Sequence, residues 1–417
     1  MKRIRIEGGH KLQGTIRISG AKNSAVALVP ASLLSDEVVK IDNIPNISDI
    51  DALNEILMYL GAKVTRTGEL MTIDSSSIIN KEIPEEISKK LRASYYFMSS
   101  LLGKYKHVEM YFPGGCAIGA RPIDQTLKGY RALGATVKEE GNRFTIDADE
   151  LHGAEVYLDM PSVGATVNTI LVAVKAKGET VIENAAKEPE IVNVATFLNN
   201  MGAKITGAGT STIRITGVDY LGSCFTEVIP DRIEAGTYMI AGALMGENLR
   251  IENIITEHVD SLINKLKEMG VSIKEERDAV EITAVEKMKG VRVKTLGYPG
   301  FPTDLQQPLT TLLTQCTGTS TLEETIYENR FQNVPYLVNM GADIKIDGKK
   351  IRIQGPNPLI GSNVVATDLR AGACLVLAGL KAEGETTIDN VEHVLRGYEN
   401  IIEKLTNVGA KIVLEEI

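Results

Sequence analysis

Leu60-Gly61-Ala62-Lys63-Val64 is the stretch on which the architecture turns. The same pattern of aliphatic residue, glycine, small residue and β-branched residue returns five times. It reads Leu133-Gly134-Ala135-Thr136-Val137, Met201-Gly202-Ala203-Lys204-Ile205, Met269-Gly270-Val271-Ser272-Ile273, Met340-Gly341-Ala342-Asp343-Ile344 and Val408-Gly409-Ala410-Lys411-Ile412. The spacings are 73, 68, 68, 71 and 68 residues, so six repeats account for nearly all of the 417 residues. Equivalent positions in such repeats fall in equivalent places, so charges at one phase can converge.

Upstream of each glycine lies an amphipathic helix, as in Leu53, Ile56, Leu57 and Leu60, with the glycine as its C-cap. Downstream come alternating strands, such as Thr212-Ile213-Arg214-Ile215 and Ile351-Arg352-Ile353. Further upstream a short strand ends in a polar turn: Ile41-Asp42-Asn43, Ile182-Glu183-Asn184, Ile251-Glu252-Asn253 and Ile388-Asp389-Asn390. Each unit opens with a helix apolar nearly all round, over 21–35, 94–103, 164–178, 234–246, 305–318 and 370–384. Such helices belong at the centre of a domain.

The sixth repeat is cut short, and the strands Lys2-Arg3-Ile4-Arg5-Ile6 and Thr15-Ile16-Arg17-Ile18 are expected to complete it. The resulting expectation is two domains, 21–229 for repeats one to three, and 1–20 with 230–417 for repeats four to six. The chain then crosses between them twice, the second time near Val228-Ile229-Pro230, which suits a hinge that closes over a ligand.

A net charge of −9 and a 5% aromatic content without Trp argue against a general nucleic-acid binder. No apolar stretch follows Met1-Lys2-Arg3, and no apolar run is long enough to span a membrane, so a cytoplasmic protein is expected. Cys116, Cys224, Cys316 and Cys374 lack metal-ligand spacing, and neither a P-loop nor a dinucleotide fingerprint is present.

Polar residues recur at two phases. Lys22-Asn23, Arg92, Ser162, Asp231-Arg232, Asp304 and Asp368 with Arg370 mark the starts of the buried helices. Asp49, Arg121, Glu188 with Glu190, Glu257, Glu328 with Arg330, and Arg396 mark the second helices. Taken singly, each is a cap or a surface pair. Together, Lys22, Arg92, Arg121, Arg370 and Arg396 point to a ligand with several negative charges, such as a phosphorylated carboxylate. One segment breaks the repeat: Phe112-Pro113-Gly114-Gly115-Cys116-Ala117-Ile118-Gly119-Ala120-Arg121-Pro122. A thiol in this Gly/Pro loop, with a guanidinium five residues on, is a candidate acid or nucleophile.

These motifs carry a resemblance along the whole chain. Ser19-Gly20-Ala21-Lys22-Asn23-Ser24, Arg92-Ala93-Ser94, the loop from Pro113 to Asp124, and Pro161-Ser162-Val163-Gly164-Ala165-Thr166 belong to it. So do Tyr298-Pro299-Gly300-Phe301-Pro302-Thr303-Asp304, Glu328-Asn329-Arg330-Phe331, Thr367-Asp368-Leu369-Arg370-Ala371 and Arg396-Gly397-Tyr398. The chain resembles the UDP-N-acetylglucosamine 1-carboxyvinyltransferases, enolpyruvyl transferases that open bacterial peptidoglycan synthesis. The resemblance implies an α/β fold of two inside-out α/β barrel domains, helices inside and sheets outside. It implies transfer of the enolpyruvyl group of phosphoenolpyruvate to the 3′-hydroxyl of UDP-N-acetylglucosamine through a tetrahedral phospho-ketal, with release of phosphate. No metal or organic cofactor, nucleic acid or membrane partner is implied.

By the same resemblance, Lys22, Arg121 and Arg396 hold phosphoenolpyruvate, with Arg92 and Arg370 in support. Asp304 is the general base. Cys116 is a proton donor that can also bind phosphoenolpyruvate covalently, and it is the expected target of fosfomycin. Asn23 contacts the sugar. Arg121, Pro122, Ile123, Asp124, Gln125, Pro161, Ser162, Val163, Gly164 and Ile326 line the nucleotide sugar, and Glu328, Arg330 and Asp368 complete the set. Met160 departs from the basic residue that some family members carry beside the nucleotide. The sister enzyme that uses shikimate 3-phosphate shares the cation clamp and is the first alternative. A silent phosphometabolite-binding scaffold is the second, although a binder needs neither Cys116 nor Asp304.

Overall fold

The computed structural model describes residues 2–111 and 123–416. Cys116, Arg121 and Pro122 therefore lie outside the described residues. Two compact units form, one from residues 2–19 with 230–416, the other from 20–111 with 123–229.

The motif glycines explain the repeat. Gly61, Gly134, Gly202, Gly270, Gly341 and Gly409 all have φ between 90° and 107°, a left-handed conformation that costs other residues about 1–2 kcal/mol. In every repeat the next amide reaches back to the carbonyl five residues earlier. Ala62 donates to Leu57, Ala135 to Tyr130, Ala203 to Leu198, Val271 to Leu266, Ala342 to Leu337 and Ala410 to Leu405, each at 3.0 Å. This closure satisfies a terminal helix carbonyl and turns the chain into the following strand.

The buried helices are Lys22–Ala31, Tyr96–Tyr105 and Val163–Ala173 in one unit. Their counterparts in the other are Arg232–Met245, Gln306–Leu313 and Leu369–Lys381, and these three pack on one another. Every side chain from Ile233 to Met245 is buried, whereas strands such as Thr212–Thr216 and Lys350–Gly355 alternate between buried and exposed positions. Helices therefore sit inside and sheets outside. Among the described residues the strands form six separate sheets, and none closes into a barrel. The fifth buried helix stops at Leu313, short of the expected 318, because the Thr-rich segment Cys316–Glu323 is a strand.

In the second repeat the strand that follows the buried helix, His107–Tyr111, lies at the sheet edge beside Arg143–Asp147; the other five of the six sheets are built around the equivalent strand. Glu179–Glu183, for example, has the parallel Glu155–Tyr157 on one side and the antiparallel Thr212–Thr216 on the other. In the sixth repeat Lys2–Glu7 takes the antiparallel place, between Glu385–Asp389 and Lys411–Glu416. The second N-terminal strand behaves differently from expectation. Leu12–Arg17 pairs in parallel with Gly246–Glu252 of the fourth repeat, Ile16 facing Ile251. That place is open because Cys224–Glu227, the strand just before the fourth buried helix, pairs instead with Val39–Asp42 of the first repeat.

The polar turns have a physical purpose. Asn43, Asn184, Asn253 and Asn390 adopt φ of 55° to 60°, which Asn tolerates better than most residues. The Nδ2 of Asn43 donates to Val228 O, that of Asn184 to Leu158 O, and that of Asn253 to Ile18 O, at 2.7–2.8 Å. Each amide thus pins the end of the neighbouring parallel strand. Where the chain passes between units, Asp231 N–H donates to Ser19 O in one and Ala21 N–H to Ile229 O in the other.

A buried ion pair secures the first of these passages. Glu234, on the fourth buried helix, accepts from Ser19 N–H at 2.8 Å and from Lys404 Nζ at 2.6 Å, and Lys404 also donates to Ser19 Oγ. Burial pushes the Glu234 carboxyl up to about 7, with Lys404 opposing and Asp231 adding to the shift. Among the described residues no helix is long and apolar enough to cross a membrane.

Candidate active site

In the unit of residues 20–229, Lys22 is the first residue of its buried helix. Its Nζ lies 2.9 Å from Oδ2 of Asp49, which is buried in the first turn of Ser48–Leu60. The cation at one phase is thus tied to the acid at the other, and Asp49 is more than a surface cap. Asn23 follows Lys22 and is half-buried, as is Arg92 at the start of the turn Arg92–Tyr95. Ser162 caps the third buried helix, accepting from Ala165 N–H at 3.2 Å. A Cβ on Gly164 would run into the Tyr95 hydroxyl, so a larger residue would displace the Tyr95 side chain where the Arg92 turn meets this helix.

Ile123 is buried and Asp124 exposed at the start of Asp124–Ala132. Gln125 links this helix to the segment before Pro161. Its Nε2 donates to Asp159 Oδ2 at 3.0 Å, and its Oε1 accepts from Asp159 N–H at 2.8 Å. The two stretches expected at the nucleotide, 123–125 and 161–164, are thereby held together. Pro161 and Met160 are exposed, and Val163 is half-buried.

In the other unit Asp304 is the centre of a charge cluster. It lies in the turn Thr303–Leu305 that leads into the fifth buried helix. Its Oδ1 accepts from Arg330 Nη2 at 2.7 Å and its Oδ2 from Arg370 Nη2 at 3.2 Å. Both guanidiniums are buried, whereas the Asp304 side chain is 25% exposed. Burial works against the Arg370 charge, but Tyr398, Asp304 and Asp231 outweigh it and hold its pKa above the ordinary guanidinium value. The Arg370 guanidinium also lies 5.3 Å from the centre of the Tyr398 ring, whose hydroxyl is 2.9 Å from Thr237 Oγ1. Asp368 caps the sixth buried helix, accepting from Arg370 N–H at 2.9 Å and Ala371 N–H at 3.0 Å. Its buried carboxylate also faces Gln307. Asp231 caps the fourth helix in the same way, from Ile233 and Glu234.

Arg396 follows the short helix Glu392–Leu395 and is half-buried, and Ile326 and Glu328 are exposed. Residues far apart in sequence, Asp304, Arg330, Asp368 and Arg370, thus meet in one unit. Lys22, Asn23, Arg92, Ile123 to Gln125 and Pro161 to Gly164 belong to the other. Beside Asp304, Thr303 bonds to Arg330 and to the buried Glu324; Thr303 belongs to the quoted 298–304 motif, whereas Glu324 carries no sequence signal beyond its closeness to Ile326. Among the described residues no group of three His, Cys, Asp or Glu side chains is placed to hold a metal. The chemistry on offer is anion binding by shielded guanidiniums beside a carboxylate that can take up a proton.

Known proteins resemble the chain along nearly its whole length. The family model for EPSP synthase (3-phosphoshikimate 1-carboxyvinyltransferase) matches residues 6–405. UDP-N-acetylglucosamine 1-carboxyvinyltransferase 2 of Listeria monocytogenes is 54% identical over 410 residues, 98% of this chain and 97% of the relative. The protein of the same name from Geobacillus kaustophilus is 51% identical over 417 residues, 100% of this chain and 97% of the relative. Among solved structures, the enolpyruvyl transferase NikO from Streptomyces tendae superposes with a TM-score of 0.91 at 28% identity, covering 99% of this chain and 98% of its own. EPSP synthase from Acinetobacter baumannii reaches 0.77 at 18% identity over the full length of both chains, a likeness of fold alone. With its repeats, its inside-out units and its guanidinium-flanked carboxylate, the chain belongs to the EPSP synthase family of enolpyruvyl transferases and, within it, to the UDP-N-acetylglucosamine 1-carboxyvinyltransferases.

Proposed function

We propose that this chain transfers the enolpyruvyl group of phosphoenolpyruvate to the 3′-hydroxyl of UDP-N-acetylglucosamine and releases inorganic phosphate, in the cytoplasm and at the start of peptidoglycan synthesis. One observation carries the reading. Asp304 stands between two buried guanidiniums, in a chain 54% identical, almost end to end, to a protein named for that reaction.

The reaction asks for what the residues offer. In the addition, C3 of phosphoenolpyruvate takes a proton while the sugar 3′-oxygen bonds to C2 and gives its own proton up. In the elimination, C3 loses a proton and the bond from C2 to the phosphate oxygen breaks. Asp304 is the acceptor for the 3′-hydroxyl proton, and Cys116 the donor toward C3. Lys22, Arg92, Arg121, Arg370 and Arg396 bind the carboxylate and phosphate of phosphoenolpyruvate and offset charge on the ketal. Asn23, the 121–125 and 161–164 stretches, Ile326, Glu328, Arg330 and Asp368 serve the nucleotide sugar.

Phosphate release from phosphoenolpyruvate should require UDP-N-acetylglucosamine. Stimulation by shikimate 3-phosphate instead, with none by the nucleotide sugar, would reverse the assignment to the sister reaction.

The thiols make a second expectation. Burial pushes Cys224 up to about 11, Cys316 up to about 12 and Cys374 up to about 11, leaving little thiolate near neutral pH. Fosfomycin, an epoxide phosphonate opened by a thiolate, should therefore add to Cys116 alone. Peptide mass mapping checks this, and label on any of the other three thiols would contradict it.

A further inference from the structure

The carboxylate at the centre of the cluster is supported by a chain of hydrogen bonds that begins well behind it. Glu324 is 1% exposed, at the end of the strand Cys316–Glu323. Its Oε1 accepts from Thr295 Oγ1 at 2.9 Å and from the amides of Ile326 and Tyr327 at 2.8 and 3.2 Å. Its Oε2 accepts from Thr303 Oγ1 at 2.8 Å. A guanidinium only donates, so Thr303 Oγ1 accepts from Arg330 while its own hydroxyl proton points toward Glu324 and its lone pairs face elsewhere. They receive Arg330 Nη1 at 2.7 Å, while Arg330 Nη2 goes to Asp304. The two terminal nitrogens of one guanidinium are thus divided between a threonine and the acid beside it in sequence.

That division has a chemical consequence. A guanidinium facing a carboxylate tends to pair through two parallel N–H bonds. A second such bond to the charged form would lower the proton affinity of the carboxylate. We infer that Thr303, oriented by Glu324, is a positioning residue for the transfer reaction: it occupies one arm of Arg330, so that Asp304 is held in place without being engaged by both arms. The inference rests on the reading of Asp304 as the proton acceptor for the sugar hydroxyl. The other charged and titratable groups around the pair are Arg370 on the far oxygen, Asp231 and Asp368 at neighbouring helix starts, and Tyr327 and Tyr398 beside the two guanidiniums.

Thr303→Val removes the hydroxyl at nearly constant shape, and Thr303→Ser keeps it. With phosphoenolpyruvate and UDP-N-acetylglucosamine as substrates, Thr303→Val should lower kcat about tenfold. The acid limb of its kcat–pH profile should move to lower pH, and KM for phosphoenolpyruvate should change less than about twofold. Thr303→Ser should restore both kcat and the limb. An acid limb in Thr303→Val that stays in place or moves upward would overturn the inference. So would a Thr303→Ser variant as impaired as Thr303→Val, which would mean that the methyl packing and not the hydroxyl matters. If the wild-type protein turns over no UDP-N-acetylglucosamine, the reading of the reaction fails instead, and the two failures are distinguished.

Discussion

Asp304→Asn should slow phosphate release from phosphoenolpyruvate at least about a hundredfold in a single turnover, the scale on which a general base contributes. The asparagine amide has nearly the shape of the carboxylate but takes up no proton. It also turns one NH₂ toward a guanidinium, because Arg330 and Arg370 approach the two oxygens separately. Two buried cations then share a single neutral acceptor. Breaking a fully buried pair costs about 3–5 kcal/mol. The Asp304 side chain is 25% exposed, so the loss in unfolding free energy should fall below that range. The two effects are separable, since urea unfolding reads the second and rapid quench of bound phosphoenolpyruvate reads the first. A variant that is folded and retains the wild-type rate would remove Asp304 from the chemistry.

Lys404→Met should have the largest effect on stability, and the effect should depend on pH. Glu234 is 2% exposed and would lose its cationic partner. At pH 8 the unfolding free energy should drop by about 3 kcal/mol, the lower end for a buried charge left alone. The sign follows from the raised carboxyl. A folded-state pKa near 7 against an ordinary 4.5 means that the neutral form is favoured on folding. The stability from this group is therefore complete below about pH 4.5 and is lost as the pH climbs through 7. Removing Lys404 takes away an influence that held the carboxyl down, so Glu234 stays neutral to higher pH in the variant and the penalty falls on the alkaline side. At pH 5 the variant should differ from wild type by little more than a lost hydrogen bond, about 1 kcal/mol. Adding Glu234→Gln should recover most of the loss at pH 8. Denaturant titrations at the two pH values decide the matter, and equal losses at both would show that the pair acts through packing alone.

Much of the fold was legible because backbone geometry forces particular residue types. A left-handed helix terminus favours glycine, and six glycines at spacings near 70 mark six such termini. The asparagine turns were legible for the same reason, although their hold on a neighbouring strand was not. The destination of Thr15–Ile18 escaped because pairing is a long-range choice. Alternation tells which face is buried and says nothing of which ladder is joined. In the site, Asp304, Arg330 and Arg370 stood out as charges at a repeated phase, where plain packing calls for none. Glu324 did not, since an acid at the end of an alternating strand looks like one more solvated side chain. Its burial is visible only once Thr295, Thr303 and two amides are seen around it.

The pairing of Lys2–Glu7 with Lys411–Glu416 bears on how the protein is made. A ribosome releases the first of these segments long before it has read the codons of the second. Through that interval a strand whose two apolar residues are Ile4 and Ile6 waits without its ladder, a template open to stray partners. Arg3 and Arg5, which later meet Asp389 and Glu415, give the waiting strand a positive charge that discourages self-association.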